Sequence, residues 1–92
     1  MFSEMNILFI ENKKKAENDK WLLEILGCEV EIYNNVLEAL NFLKSHENFF
    51  DVIFIDSEMP KLNGIEFTKK LRKWEKEADV KQTPIIIISA NS

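Results

Sequence analysis

Two apolar runs end in groups that could do chemistry. Val52-Ile53-Phe54-Ile55 closes on Asp56, and Ile7-Leu8-Phe9-Ile10 closes on Glu11 and Asn12. A carboxylate that ends a buried run is partly withdrawn from water, and an unpaired charge in that position is costly. If the two runs are neighbouring strands, Glu11, Asn12 and Asp56 converge, and like charges at close range call for a cation. Oxygen donors of this kind select a hard ion, Mg²⁺. The same ion neutralises an incoming phosphoryl group and lets a carboxylate act as its nucleophile. Ser89, just past Ile85-Ile86-Ile87-Ile88, offers a hydroxyl to a phosphoryl oxygen. One acid at a strand end reads as a solvated turn residue; the set argues for a site.

The elements that must position these groups follow from periodicity. Asn6 to Ile10 reads as a buried strand. A helix is predicted over about 14–26, with Ala16, Leu22, Leu23, Ile25 and Leu26 as its apolar face and Gly27 as its stop. Cys28, Val30 and Ile32 alternate with Glu29 and Glu31, the pattern of a half-exposed edge strand. Asn34 or Asn35 caps a second helix, in which Val36, Ala39, Leu40 and Leu43 form one stripe. The run from Asp51 to Asp56 is expected as a central strand covered on both faces. Met59-Pro60 and Asn63-Gly64 punctuate a loop. A third helix is predicted from about residue 64 to 76, with Ile65, Phe67, Thr68 and Leu71 inward. Thr83-Pro84 opens the last strand, Ile85 to Ile88, also expected to be fully buried. The order β-α-β-α-β-α-β implies an α/β domain with a parallel sheet and right-handed crossovers. One edge-like and three buried runs suit the strand order 2-1-3-4. In such a sheet the ligand site lies beyond the carboxyl ends of the strands, where the order reverses. Glu11, Asn12, Asp56 and Ser89 all fall there.

Composition narrows the classes. Ninety-two residues, 46% hydrophobic and 30% charged, make one globular domain. A net charge of −4 argues against a nucleic-acid-binding face, and Lys13-Lys14-Lys15 beside Glu11 and Glu17 reads as a solvated helix start. The single cysteine, Cys28, forms no internal disulfide and fits a reducing, cytoplasmic setting as a small buried residue. No apolar stretch approaches the roughly 18 residues of a membrane helix, and no signal peptide is visible. With only Gly27 and Gly64, the chain lacks a glycine-rich nucleotide-binding loop. His46, at the end of the second helix, is expected to face solvent, and Trp21 and Trp74 to be partly buried.

The stretch Asp51-Val52-Ile53-Phe54-Ile55-Asp56-Ser57-Glu58-Met59-Pro60, followed by Gly64-Ile65-Glu66-Phe67, resembles the receiver domains of two-component response regulators. The upstream Glu11-Asn12 and the downstream Ser89-Ala90 extend the resemblance over essentially the whole chain. It implies a flavodoxin-like, CheY-like fold and transfer of a phosphoryl group to Asp56 from a histidine kinase or phosphotransfer protein. It implies Mg²⁺ held by Glu11, Asn12, Asp56 and the backbone carbonyl of Glu58. Ser89 then reads the phosphoryl group and Ala90 leaves room for it. Such a protein is a phospho-accepting switch rather than a turnover enzyme. Two departures stand out: Asn12 occupies a position usually held by Asp, and the chain ends two residues after Ala90. The usual last helix, strand and helix, with a phosphoryl-binding lysine, are therefore expected to be missing from a single receiver-like domain over 1–92. The Ile85–Ile88 strand would then form an open edge that favours self-association. An interaction module that keeps the fold but phosphorylates poorly, a pseudo-receiver, is the alternative.

Overall fold

Strand and helix alternate from end to end. The computed structural model describes residues 5–57, 59 and 63–88. They form β1 (Asn6–Ile10), α1 (Lys13–Ile25), β2 (Glu29–Tyr33), α2 (Val36–Ser45), β3 (Val52–Asp56), α3 (Gly64–Ala78) and β4 (Ile85–Ile88). The strands make one parallel sheet in the order β2-β1-β3-β4, as the burial pattern anticipates. Ser89, Ala90 and Glu58 lie outside the described residues.

Asparagine starts each helix. The side chains of Asn12, Asn35 and Asn63 accept hydrogen bonds from the N–H groups of Lys14, of Leu37 and Glu38, and of Glu66 respectively. Each bond satisfies a donor that the first helical turn leaves without an intrahelical partner. Asn63 Nδ2 also reaches Glu66 Oε1 at 3.4 Å, a reciprocal arrangement close to a capping box. At the far end of α1, Gly27 N–H donates to Glu24 O and Cys28 N–H to Leu23 O. That pairing requires the left-handed backbone seen at Gly27, with φ of 95°, which glycine adopts without a Cβ clash.

Two apolar layers enclose the sheet. Leu8, Ile10, Ile53 and Ile55 point to one face and pack with Val36, Ala39, Leu40 and Leu43 of α2 and with Phe67 and Leu71 of α3. Ile7, Phe9 and Val30 point to the other, against Ala16 and Leu23 of α1, with Val52, Phe54 and Ile88 beside them. Phe9 and Phe54, paired across β1 and β3, stack with ring centres 4.9 Å apart. Full burial of each Ile, Leu or Phe is worth about 1.5–3 kcal/mol.

Four expectations are corrected. On α1 the phase set by Ala16 and Leu23 turns Ile25 and Trp21 to the opposite side at about 100° per residue, with Leu22 and Leu26 flanking. Trp21, Leu22, Ile25 and Leu26 are all exposed. On α3 the same reasoning places Phe67 and Leu71 inward and Ile65 outward, where it is exposed. β3 is fully buried only on the α2–α3 side; Val52 and Phe54, toward α1, are partly covered. β4 is not buried: Ile86 is 48% and Ile87 42% exposed, because this strand closes the sheet as an edge. Trp74 is half-buried against the α2–α3 core, as expected, and His46 is exposed at the end of α2.

Candidate functional site

Strand periodicity builds the pocket. Side chains alternate between faces along a strand, so the α1 face of β1 carries Ile7, Phe9 and then Glu11. On β3 the same face carries Val52, Phe54 and then Asp56. The last paired residues of the two strands are Ile10 and Ile55, so Glu11 and Asp56 stand one step beyond, side by side. Backbone bonds hold both ends: Glu11 N–H donates to Tyr33 O, and Ser57 N–H donates to Ile88 O. The two acids thus sit at the point where β1 has β2 on one side and β3 on the other. This is the switch point of the sheet.

Both carboxylates are withdrawn from water. The Glu11 side chain is 3% exposed and that of Asp56 12%. Burial raises the Glu11 carboxyl above its ordinary value; Lys15 opposes the rise, while the charges of Asp19 and Asp56 add to it. Oε2 of Glu11 is buried with no hydrogen-bond partner. A buried carboxylate oxygen left in this way is a donor waiting for a cation, so the acid pair fits a small divalent ion such as Mg²⁺. Among the described residues no group of three or more Asp, Glu, His or Cys side chains gathers. The charge therefore comes from Glu11 and Asp56, with Asn12 able to add only a neutral oxygen.

Two features of the site escape sequence reasoning. Asn12 is the N-cap of α1: its Oδ1 accepts the Lys14 N–H at 3.0 Å, and the residue is exposed. Its position before a helical run carries that signal, as do Asn35 and Asn63. Lys15 is the larger omission. From the first turn of α1 its Nζ lies 3.8 Å from Glu11 Oε1 and 3.6 Å from Asp56 Oδ2. The spacing of four between Glu11 and Lys15 was the available clue.

An open parallel sheet with two buried acids at its switch point, capped by the start of α1, defines a flavodoxin-like domain with an acidic strand-end pocket. The chain matches the family model of the response regulator receiver domain over residues 7–92 and belongs to that family. It is therefore a signalling domain of the two-component type. It is 42% identical over 71 residues to hybrid signal transduction histidine kinase E of Dictyostelium discoideum, covering 77% of this chain and 4% of that protein. It is 41% identical over 69 residues to a transcriptional regulatory protein CpxR homolog of Haemophilus influenzae, covering 75% of this chain and 26% of the relative. The chain thus spans a small part of the curated relatives it matches. Among solved structures, the receiver domain of the histidine kinase CKI1 from Arabidopsis thaliana, complexed with Mg²⁺ and BeF₃⁻, has a TM-score of 0.88 at 29% identity. The match covers 99% of this chain and 69% of that one. The receiver domain of sensor histidine kinase PA1611 from Pseudomonas aeruginosa, with a magnesium ion in its active-site cleft, has a TM-score of 0.78 at 26% identity, covering 95% and 68%. Among the described residues no helix is long and apolar enough to cross a membrane.

Proposed function

We propose that this domain accepts a phosphoryl group on Asp56 from a histidine kinase or phosphotransfer protein and acts as a switch. The observation that carries the reading is the buried Glu11–Asp56 pair with its unpartnered Glu11 oxygen. The Mg²⁺ reported in the CKI1 and PA1611 receiver structures supports it. Asp56, at the end of β3, presents a carboxylate oxygen to the phosphorus of the donor. The new bond joins that oxygen to phosphorus, and the bond from phosphorus to the donor's imidazole nitrogen breaks. The electron pair leaves with the imidazole, and the acyl phosphate remains on Asp56. The divalent ion, when bound, supplies positive charge against the carboxylates and the phosphoryl oxygens.

Glu11 and Asp56 hold that ion in this reading, with Asn12 and the backbone carbonyl of Glu58 completing the protein's share. Ser89 gives its hydroxyl to the phosphoryl group. The acyl phosphate carries about two negative charges where the Asp56 carboxylate carried one, a net gain of about one at a buried strand end together with new acceptor oxygens, which biases the surrounding loops between two arrangements. The domain carries out its own phosphorylation and does not turn over a substrate. A donor charged from ATP implies a cytoplasmic setting. The net charge of −4 fits protein partners, including a second copy through the Ile85–Ile88 edge.

Intact-mass measurement after incubation with acetyl phosphate and MgCl₂ tests the reading. A gain of one phosphoryl group is expected, absent in Asp56→Asn and in the presence of EDTA. No gain in folded protein would identify the domain as a pseudo-receiver that works through binding alone.

A further inference from the structure

An ammonium from α1 lies within ion-pair range of both acids of the pocket. Lys15 Nζ is 3.6 Å from Asp56 Oδ2 and 3.8 Å from Glu11 Oε1, and its side chain is 49% exposed. We propose that Lys15 is a tethered counter-ion that shares the cation position with the divalent metal, so that metal binding requires its ammonium to withdraw. The inference rests on the metal-binding part of the function proposed above.

Three observations carry it. Glu11 and Asp56 project from neighbouring strands onto the face that α1 covers, and Lys15 lies in the first turn of α1, so the helix aims a positive charge at the pocket. The fit is loose: at 3.6–3.8 Å the ammonium makes ion pairs and no short hydrogen bond, and Glu11 Oε2 is left unpartnered. Mg²⁺ ligates oxygens at about 2.0–2.1 Å and demands them, so the pocket that satisfies lysine poorly has capacity left for a metal. Finally, a half-exposed lysine gains little from each ion pair and keeps its rotamer freedom, so it can leave without opening the core. Asp19, one turn further along α1 and felt electrostatically by Glu11, offers the displaced ammonium a nearby negative charge.

The consequence is a pocket whose negative charge is partly offset without metal and which binds metal less tightly than its two acids alone would. Calorimetric titration with MgCl₂ at low ionic strength tests this on the unmodified protein, Lys15→Met and Lys15→Arg. Lys15→Met keeps the apolar stem and removes the charge; it should bind Mg²⁺ roughly tenfold more tightly, while Lys15→Arg stays near the parent value. Equal or weaker binding by Lys15→Met overturns the inference and leaves the receiver reading intact. Absence of Mg²⁺ binding in all three overturns both. A second readout needs no variant: the side-chain ¹⁵Nζ and ¹³Cε resonances of Lys15 should shift as Mg²⁺ saturates the unmodified protein. Resonances that stay fixed through saturation contradict the displacement.

Discussion

Burial penalises the charged form of Glu11, and the sign of that cost can be tested. Its carboxyl is raised above the ordinary value, first by desolvation and then by Asp19 and Asp56, with Lys15 opposing. The folded chain therefore keeps a proton at this site more readily than the unfolded chain. The stability that this proton confers is present below the unfolded value and is lost as pH rises through the folded one. Without divalent ions, Glu11→Gln should raise the melting temperature at pH 7 and flatten the decline above the unfolded value. Scanning calorimetry in EDTA from pH 4 to 8 checks it; a lower melting point for the variant at pH 7 would contradict the assignment. Adding MgCl₂ should reverse the order, because the unmodified protein gains a ligand charge that Gln lacks. Glu11 and Asp56 were legible in the sequence because each ends an apolar run, and two such acids at neighbouring strand ends are poorly explained as solvated turn residues. Lys15 was not, because a triple lysine reads as solvated surface until the start of α1 fixes which lysine faces the strands.

At the scale of elements, one buried acid ties the last crossover together. Glu75, 2% exposed on α3, accepts from Arg72 Nη1 at 2.7 Å through one oxygen and from the Thr83 N–H at 2.8 Å through the other. It anchors the segment that leads into β4. Glu75→Ala leaves a buried N–H and a part-buried guanidinium unpaired and should cost about 2–4 kcal/mol in urea denaturation. A loss under about 0.5 kcal/mol would show that water replaces both bonds. Sequence pattern carried the element order and strand order because alternation and glycine or proline punctuation are local signals. It misjudged helix faces where two apolar clusters compete for one helix. Ala16 and Leu23 took the sheet side of α1, and the larger Trp21 and Ile25 were turned to the opposite side and left exposed. Glu75 also lay on the stripe of Phe67 and Leu71, but an acid at an inward position is recognisable only once its partners are known.

For the whole molecule, the uneven feature is the β4 edge. Ile86 and Ile87 are exposed on a strand of four isoleucines whose outer side pairs with no described strand. Such an edge is a template for another chain. Sedimentation velocity should show association that grows with protein concentration and weakens in Ile86→Lys; a concentration-independent monomer would count against it. Gly64 links this edge to the pocket loop. A Cβ there would lie 3.3 Å from Ile87 Cγ2 and 3.5 Å from Ser57 Cα, so the start of α3 rests directly on β4 and on the residue after Asp56. The alternation of faces along β3 has a consequence for how such a chain can change length. Inserting one residue between Val52 and Ile55 would turn the Asp56 carboxylate toward α2 and α3 and bring Ile55 to the acid's place beside Glu11. Inserting two would restore the face but carry the carboxylate about 7 Å past its neighbour. Substitutions along this strand are judged by volume, whereas insertions and deletions are judged by parity and reach. The descent of this domain should therefore show gaps in its loops and none between Val52 and Asp56.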